Sequence, residues 1–316
     1  MDARPLRRGW KVWILGAVAA VISGCVATNS PDYENQRTFT SPDEAVHALA
    51  EAAQAGDTGT LTSIFGTQAD AILSSGDAVA DLRNRETFSV AMNDRWSLRR
   101  IDSETRELLI GHDEWPFPVP VVKDARGWWF NTLAGRDEVL ARRIGRNELA
   151  AIGALHTYVE AQHEYAAQPR DGLPAGVYAQ QFRSDPGRHN GLFWETSPGQ
   201  PPSPLATFAA SAQKQGYAGG SASVPGPRTY HGYTFRILTR QGAAAPGGAR
   251  DYISSGAMTG GFALVAWPVT YRNTGVMTFM VGPDGTVYER DLGPQTAAAA
   301  AAIAEFNPGE GWIKSP

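Results

Sequence analysis

Apolar residues recur at helical spacing in three stretches early in the chain. Ala45, Val46, Leu49, Ala50 and Ala53 follow Ser41-Pro42-Asp43-Glu44. There the serine caps free amides, the proline suits the first helical turn and Glu44 completes a capping box. Gly56-Asp57 ends that helix. Leu61, Ile64 and Phe65 predict a second helix stopped by Gly66, and Leu82, Phe88, Val90 and Met92 predict a third over 77–94. The pattern then shifts to strands at 106–110, 119–122 and 128–132, the last two joined by a turn at Asp124-Ala125-Arg126-Gly127. Prolines at 116, 118 and 120 remove amides, so Trp115-Pro116-Phe117-Pro118-Val119-Pro120 predicts an edge or extended segment. A long helix is expected over 137–167, with Val139, Leu140, Ile144, Leu149, Ile152, Leu155, Val159 and Tyr165 on its apolar side. Residues 168–228 are rich in Pro, Gly and Ser and read as a long loop, of the kind that is functional or ordered by packing. Strands return at 233–238, 261–267, 275–281 and 286–290, with Asp284-Gly285 as a hairpin turn, and Pro294 opens an alanine-rich helix reaching Phe306.

The pattern predicts an α+β fold. N-terminal helices and a curved antiparallel sheet occupy 39–134, and a long helix packed on a second antiparallel sheet occupies 135–316. A length of 316 residues suits about two domains, and a hydrophobic fraction of 42% suits packed cores. The formal net charge is −4, with no basic stripe for nucleic acid.

The lone cysteine changes the picture most. Arg4, Arg7, Arg8 and Lys11 precede the apolar run Val12 to Ile22, too short to span a bilayer, and Ile22-Ser23-Gly24-Cys25 closes it. Basic, then apolar, then small residues make a secretory signal. Ending on cysteine, it resembles a bacterial lipoprotein signal. That resemblance implies cleavage before Cys25, a diacylglyceryl and palmitate anchor on this residue, and the membrane as a partner. It also implies a signal at 1–24 and a tether at 25–38. Val26, where aspartate would retain such proteins at the inner membrane, implies the outer membrane, facing the periplasm. Arg7-Arg8 also resembles a twin-arginine signal, which Gly9-Trp10-Lys11 fits poorly. A lipidated Cys25 leaves no disulfide and no thiolate chemistry, so the fold is held by packing.

Candidate chemistry elsewhere is thin. His156, Glu160 and His163 share a helix face, but two turns of about 10 Å separate the histidines, so a solvated face is expected and no metal. Ser211 and Lys214 match a serine–lysine spacing whose companion signatures are missing. Gly242 to Arg250 can present amides to an anion, yet reads first as a hairpin tip. Asp77, Asp81 and Arg85 lie four apart on one helix face and suit surface ion pairs. Trp115, Phe117, Trp128, Trp129 and Phe130 concentrate rings on the first sheet. The first, second, third and fourth of these, with His231, are the candidate ligand or partner surface. No catalytic residue and no cofactor is assigned.

Two stretches carry a family likeness. The first is Trp115-Pro116-Phe117-Pro118 with Arg142-Arg143-Ile144-Gly145-Arg146-Asn147-Glu148. The second is His231-Gly232-Tyr233, Gly260 to Leu264 and Gly275-Val276-Met277-Thr278-Phe279. Together they resemble the bacterial exported family DUF2950, which brings no established reaction. More narrowly, 41–133 resembles the nuclear-transport-factor-2-like cone. Residues 145–292 resemble a pilin or pseudopilin globular domain, through Asn147 to Tyr165, Gly232-Tyr233-Phe235 and Gly275, Phe279 and Gly285. These likenesses imply a non-catalytic binding or assembly module with an envelope protein partner. The alternatives are a hydrolase-like periplasmic enzyme or a small-molecule carrier with a pocket in the N-terminal domain.

Overall fold

The computed structural model describes residues 36–197, 199–217 and 228–315. The leader, Cys25 and most of the tether lie outside those residues. Among the described residues no helix is long and apolar enough to cross a membrane.

The first helix starts as its cap predicts. Ser41 Oγ accepts the Glu44 amide at 3.1 Å, and the Glu44 carboxylate reaches past Ser41 to the Thr40 amide at 2.9 Å. Helix α1 (Pro42–Ala55) ends on Gly56 at φ 66°, a left-handed cap that glycine adopts without strain. Then come α2 (Thr58–Phe65), α3 (Ala69–Leu73) and α4 (Ala78–Asp94). They cover an antiparallel sheet of β1 (Trp96–Arg100), β2 (Thr105–Ile110), β3 (Trp115–Pro116), β4 (Val121–Asp124) and β5 (Gly127–Phe130). Its order is β1-β2-β4-β5, with β3 also paired to β2. Strand β1 is an edge whose Arg99 and Arg100 stay exposed, so it lacks the alternation that marks a half-buried strand. Val46, Leu49, Ile64, Leu108, Val121 and Phe130 form the core of this half.

Helix α5 (Thr132–Ala166) leaves β5 through an Asn131 cap that accepts the Ala134 amide at 3.1 Å. It starts five residues before the expected 137 because Gly135 belongs to it. A Cβ at Gly135 would lie 2.7 Å from Pro118 O and from Val119 Cα, so this glycine is the close contact that lets the helix leave the sheet. The expected apolar side is also corrected. Leu149 is 72% exposed, while Arg143 and Asn147 are buried, since this stretch of α5 faces polar groups from the second half.

Residues 168–228 are not one featureless loop. They hold α6 (Ala206–Lys214) and lead into β6 (Arg228–Tyr230). The second sheet then builds from β7 (Tyr233–Leu238), and two short hairpins follow, β8 (Arg240–Gln241) with β9 (Arg250–Asp251) and β10 (Ile253–Ser254) with β11 (Ala257–Met258). It is completed by β12 (Ala263–Pro268), β13 (Met277–Val281), β14 (Val287–Asp291) and β15 (Ile313–Lys314). The antiparallel order is β15-β14-β13-β12-β7-β6. Helix α5 packs on β12 and β13, burying Leu155, Tyr158, Leu264, Val265 and Phe279 in a second core. The last helix, α7 (Thr296–Ala302), is shorter than the expected 294–306. Arg236 takes the carbonyls of Ala300, Ala301 and Ile303, and Phe306 turns inward beside Gln241. Helices and several antiparallel sheets together make the fold α+β.

Candidate functional site

The site grows out of the segment after α5. The Gln162 side chain donates to Ala179 O at 2.8 Å and accepts the Ala179 amide at 2.9 Å, imitating a strand partner and clamping the returning chain to the helix. Gly191 then lets the chain double back. A Cβ there would sit 2.6 Å from the Ser184 amide, and Arg183 pairs with Phe193 across the doubled segment. The Leu205 amide bonds Leu192 O at 3.0 Å, which hangs α6 from this clamp.

Beneath α6 lies a pocket of ≈ 180 Å³. Ala154 and Tyr158 of α5, Phe235 of β7 and Leu264 of β12 form one side. Phe182, Phe193, Leu205, Phe208, Ala209 and Ala212 form the other, and Tyr217 and Tyr230 close an end. Three of the wall hydroxyls are engaged within the protein. Tyr158 donates to Ala263 O at 3.3 Å, Thr157 to Gly153 O at 2.9 Å and Tyr217 to Asp77 Oδ2 at 2.8 Å. Burial pushes the Tyr158 and Tyr217 hydroxyls well above the usual tyrosine range. Arg183 is the charged residue of the wall. Its guanidinium lies 5.1 Å from the Phe193 ring centre and bonds Glu195 Oε1 at 2.7 Å. A wider depression over Glu86, Val90 and Gly111 lies open on the surface of α4.

Tyr217 links the pocket to a polar junction between the two cores. The Asp77 carboxylate caps α4 through the Val79 and Ala80 amides, at 3.1 and 3.0 Å. Its other oxygen takes the Tyr217 hydroxyl and the Gly232 amide, at 2.8 and 3.2 Å. His231 and Gly232 are the two-residue turn between β6 and β7, both at positive φ (47° and 69°). Positive φ at both turn positions is the twist-matched hairpin geometry, and histidine tolerates it better than most side chains. His231 Nε2 meets Gln215 Oε1 at 2.9 Å. Desolvation holds its pKa below the usual histidine range, partly opposed by Asp77. Deeper in the junction, Arg143 donates to Asn273 Oδ1 at 2.6 Å and to Ala71 O at 3.0 Å. Asn147 reaches Thr274 O at 2.9 Å, and Asn273 reaches Ser75 O at 3.0 Å.

The other sequence candidates fall elsewhere. Trp128 and Trp129 are buried, Phe117 is half-buried and Trp115 is 44% exposed. Phe117 stacks among Phe65, Phe88 and Phe130 at centroid distances of 5.5–6.4 Å, so rings fill the space between the helices and the first sheet. Arg142 covers Trp115 at 4.9 Å. None of these four residues meets His231. His156, Glu160 and His163 are exposed, and no group of three metal-binding side chains forms among the described residues. Ser211 and Lys214 are exposed on α6. The Gly242–Arg250 tip is packed: Ala245 is buried, and Gln241 holds Pro246 O and Gly248 O at 2.8 and 2.6 Å. Asp77 and Asp81 are hydrogen-bond acceptors for backbone amides rather than ion-pair partners of Arg85. The pocket was missed by sequence reasoning, yet Leu205, Phe208, Ala209 and Ala212 carry a helical i, i+3, i+4, i+7 signal.

The model of the family described as a protein of unknown function (DUF2950) matches residues 36–315, and the chain belongs to that family. No curated protein and no solved structure matches it.

Proposed function

We propose that this protein is a lipid-anchored binding module of the bacterial envelope. It is held through Cys25 at the outer membrane, faces the periplasm and takes a small apolar group beneath α6. The pocket carries the reading: ≈ 180 Å³ walled by rings and aliphatic side chains from three parts of the chain. An apolar cavity of about 150 Å³ holds a benzene-sized guest, while drug-sized ligands occupy roughly 300–1,000 Å³. The guest is therefore one ring or one short branched chain. Non-catalytic binding is supported by the state of Asp77, the acid bonded to the wall residue Tyr217. Asp77 accepts four hydrogen bonds from the protein itself, whereas a general base needs a lone pair directed at substrate. The anchor is supported by the basic, apolar and small-residue leader that ends on Cys25.

The test is native mass spectrometry of the protein taken gently from its own envelope, beside Ala209→Trp, which fills the pocket. A stoichiometric small molecule is expected with the parent chain and not with the variant. A protein partner retained by both, with no small molecule in either, would replace this reading with an assembly role.

A further inference from the structure

We infer that the ligand is a compact aromatic or branched-alkyl carboxylate, its apolar part between α6 and Leu264 and its carboxylate on Arg183. This rests on the binding reading above and adds the chemical class. The wall hydroxyls of Tyr158, Thr157 and Tyr217 are committed to protein acceptors and that of Tyr230 is paired with Gln215, so Arg183, beside the exposed Thr229 hydroxyl, is the charged group the wall offers a ligand. Among the described residues that guanidinium makes one hydrogen bond, to Glu195, out of the five an arginine can donate. Its side chain is 23% exposed, and the Phe193 ring beneath holds its plane. Glu195 is 82% exposed, and an ion pair with so solvated a partner is weak and readily exchanged. Arg183 lines the apolar pocket, and the planar fork of an arginine matches a carboxylate bound through both oxygens. The ≈ 180 Å³ available limits the apolar part to about one ring.

The test uses the full chain in lipid nanodiscs, with empty nanodiscs as blank, titrated by fluorine NMR. The probes are 3-(4-fluorophenyl)propionate and the corresponding propan-1-ol. The acid should bind about tenfold more tightly than the alcohol, as a charge-assisted bond predicts. Arg183→Gln should bring the acid down to the alcohol and leave the alcohol unchanged, and Ala209→Trp should abolish both. Glu195→Gln, which removes the competing carboxylate, should tighten the acid about twofold. Equal binding of acid and alcohol to the parent chain would overturn the carboxylate assignment while leaving the apolar pocket standing. Loss of the alcohol in Arg183→Gln would overturn it too, by making the arginine a wall rather than a recognition group. If neither probe binds above the blank, the assignment and the binding reading fall together.

Discussion

Asp77 joins three segments with one carboxylate, and its removal should be felt well beyond its own helix. Asp77→Ala loses the α4 cap, worth about 1 kcal/mol. It also orphans the Tyr217 hydroxyl and the Gly232 amide, which bond the same oxygen at 2.8 and 3.2 Å. A bond to a charged group contributes about 1.5–3 kcal/mol when buried. Asp77 and Tyr217 are half-buried, so solvent screening brings the two lost contacts to about 1–2 kcal/mol together. The expected total is about 2–3 kcal/mol, or roughly a 3–5 °C fall in Tm at this chain length. Asp77→Asn keeps the cap oxygen and gives up only the second acceptor, so it should fall midway. The assay is urea unfolding followed through the seven tryptophans that follow Cys25, with Tyr217→Phe completing a double-mutant cycle. The coupling should be about 1 kcal/mol, as for groups in one network. An Asp77→Ala cost no larger than a lone cap, additive with Tyr217→Phe, would refute a carboxylate that ties the halves.

The remaining expectations test other joints. His231 has its folded pKa depressed by desolvation; the unfolded chain then binds the proton first as pH falls below about 6.5. Stability from this group is thus full above that pH and lost as pH drops through the folded pKa. A melting profile between pH 7.5 and 5 should fall for the parent and flatten in His231→Asn, which keeps the positive φ affordable. The lowered carboxylates, Glu44 and Asp124 among them, lose their contribution as pH falls through the ordinary carboxylate range, below that window. Gly275→Ala would put a Cβ 2.1 Å from the Tyr233 hydroxyl, and should cost about 1–3 kcal/mol by overpacking. Its control, Gly153→Ala on α5 with nothing within 4 Å, should stabilise by about 0.5–1 kcal/mol, both read by chemical denaturation. Cys25→Ala should move the protein from the membrane to the soluble envelope fraction and end labelling by radioactive palmitate; membrane retention without label would count against the lipid anchor.

What could be read from the sequence was local. Ser41 with Glu44, Gly66 after Phe65, and Asp284-Gly285 each act within four residues, so their chemistry is written where it operates. The first-half rings were visible as a concentration, but whether rings fill a core or line a cleft depends on Phe65 and Phe88 meeting Phe117 from other helices. The long helix shows the limit most clearly. A periodicity template sends charged and amide side chains to solvent and leucine to the core. On α5 it places Leu149 inside and says nothing of Arg143 and Asn147. The actual arrangement is the reverse because Asn273 and Thr274, well over a hundred residues later, supply partners.

Segment 168–228 fails for a different reason. Its Pro, Gly and Ser content announces loop, and that composition hid the two amphipathic turns that matter, Leu205 to Ala212. A nine-residue helix is marginal alone and is held here by Leu205 packed on the second core and Phe208 against Tyr230. Its exit, Tyr217, has two uses at once, a ring in the pocket wall and a hydroxyl on Asp77. Filling the pocket therefore presses on the same residue that holds the two cores together. A ligand that orders Tyr217 must also strengthen the Asp77 junction, by the same free energy with which the junction favours the ligand.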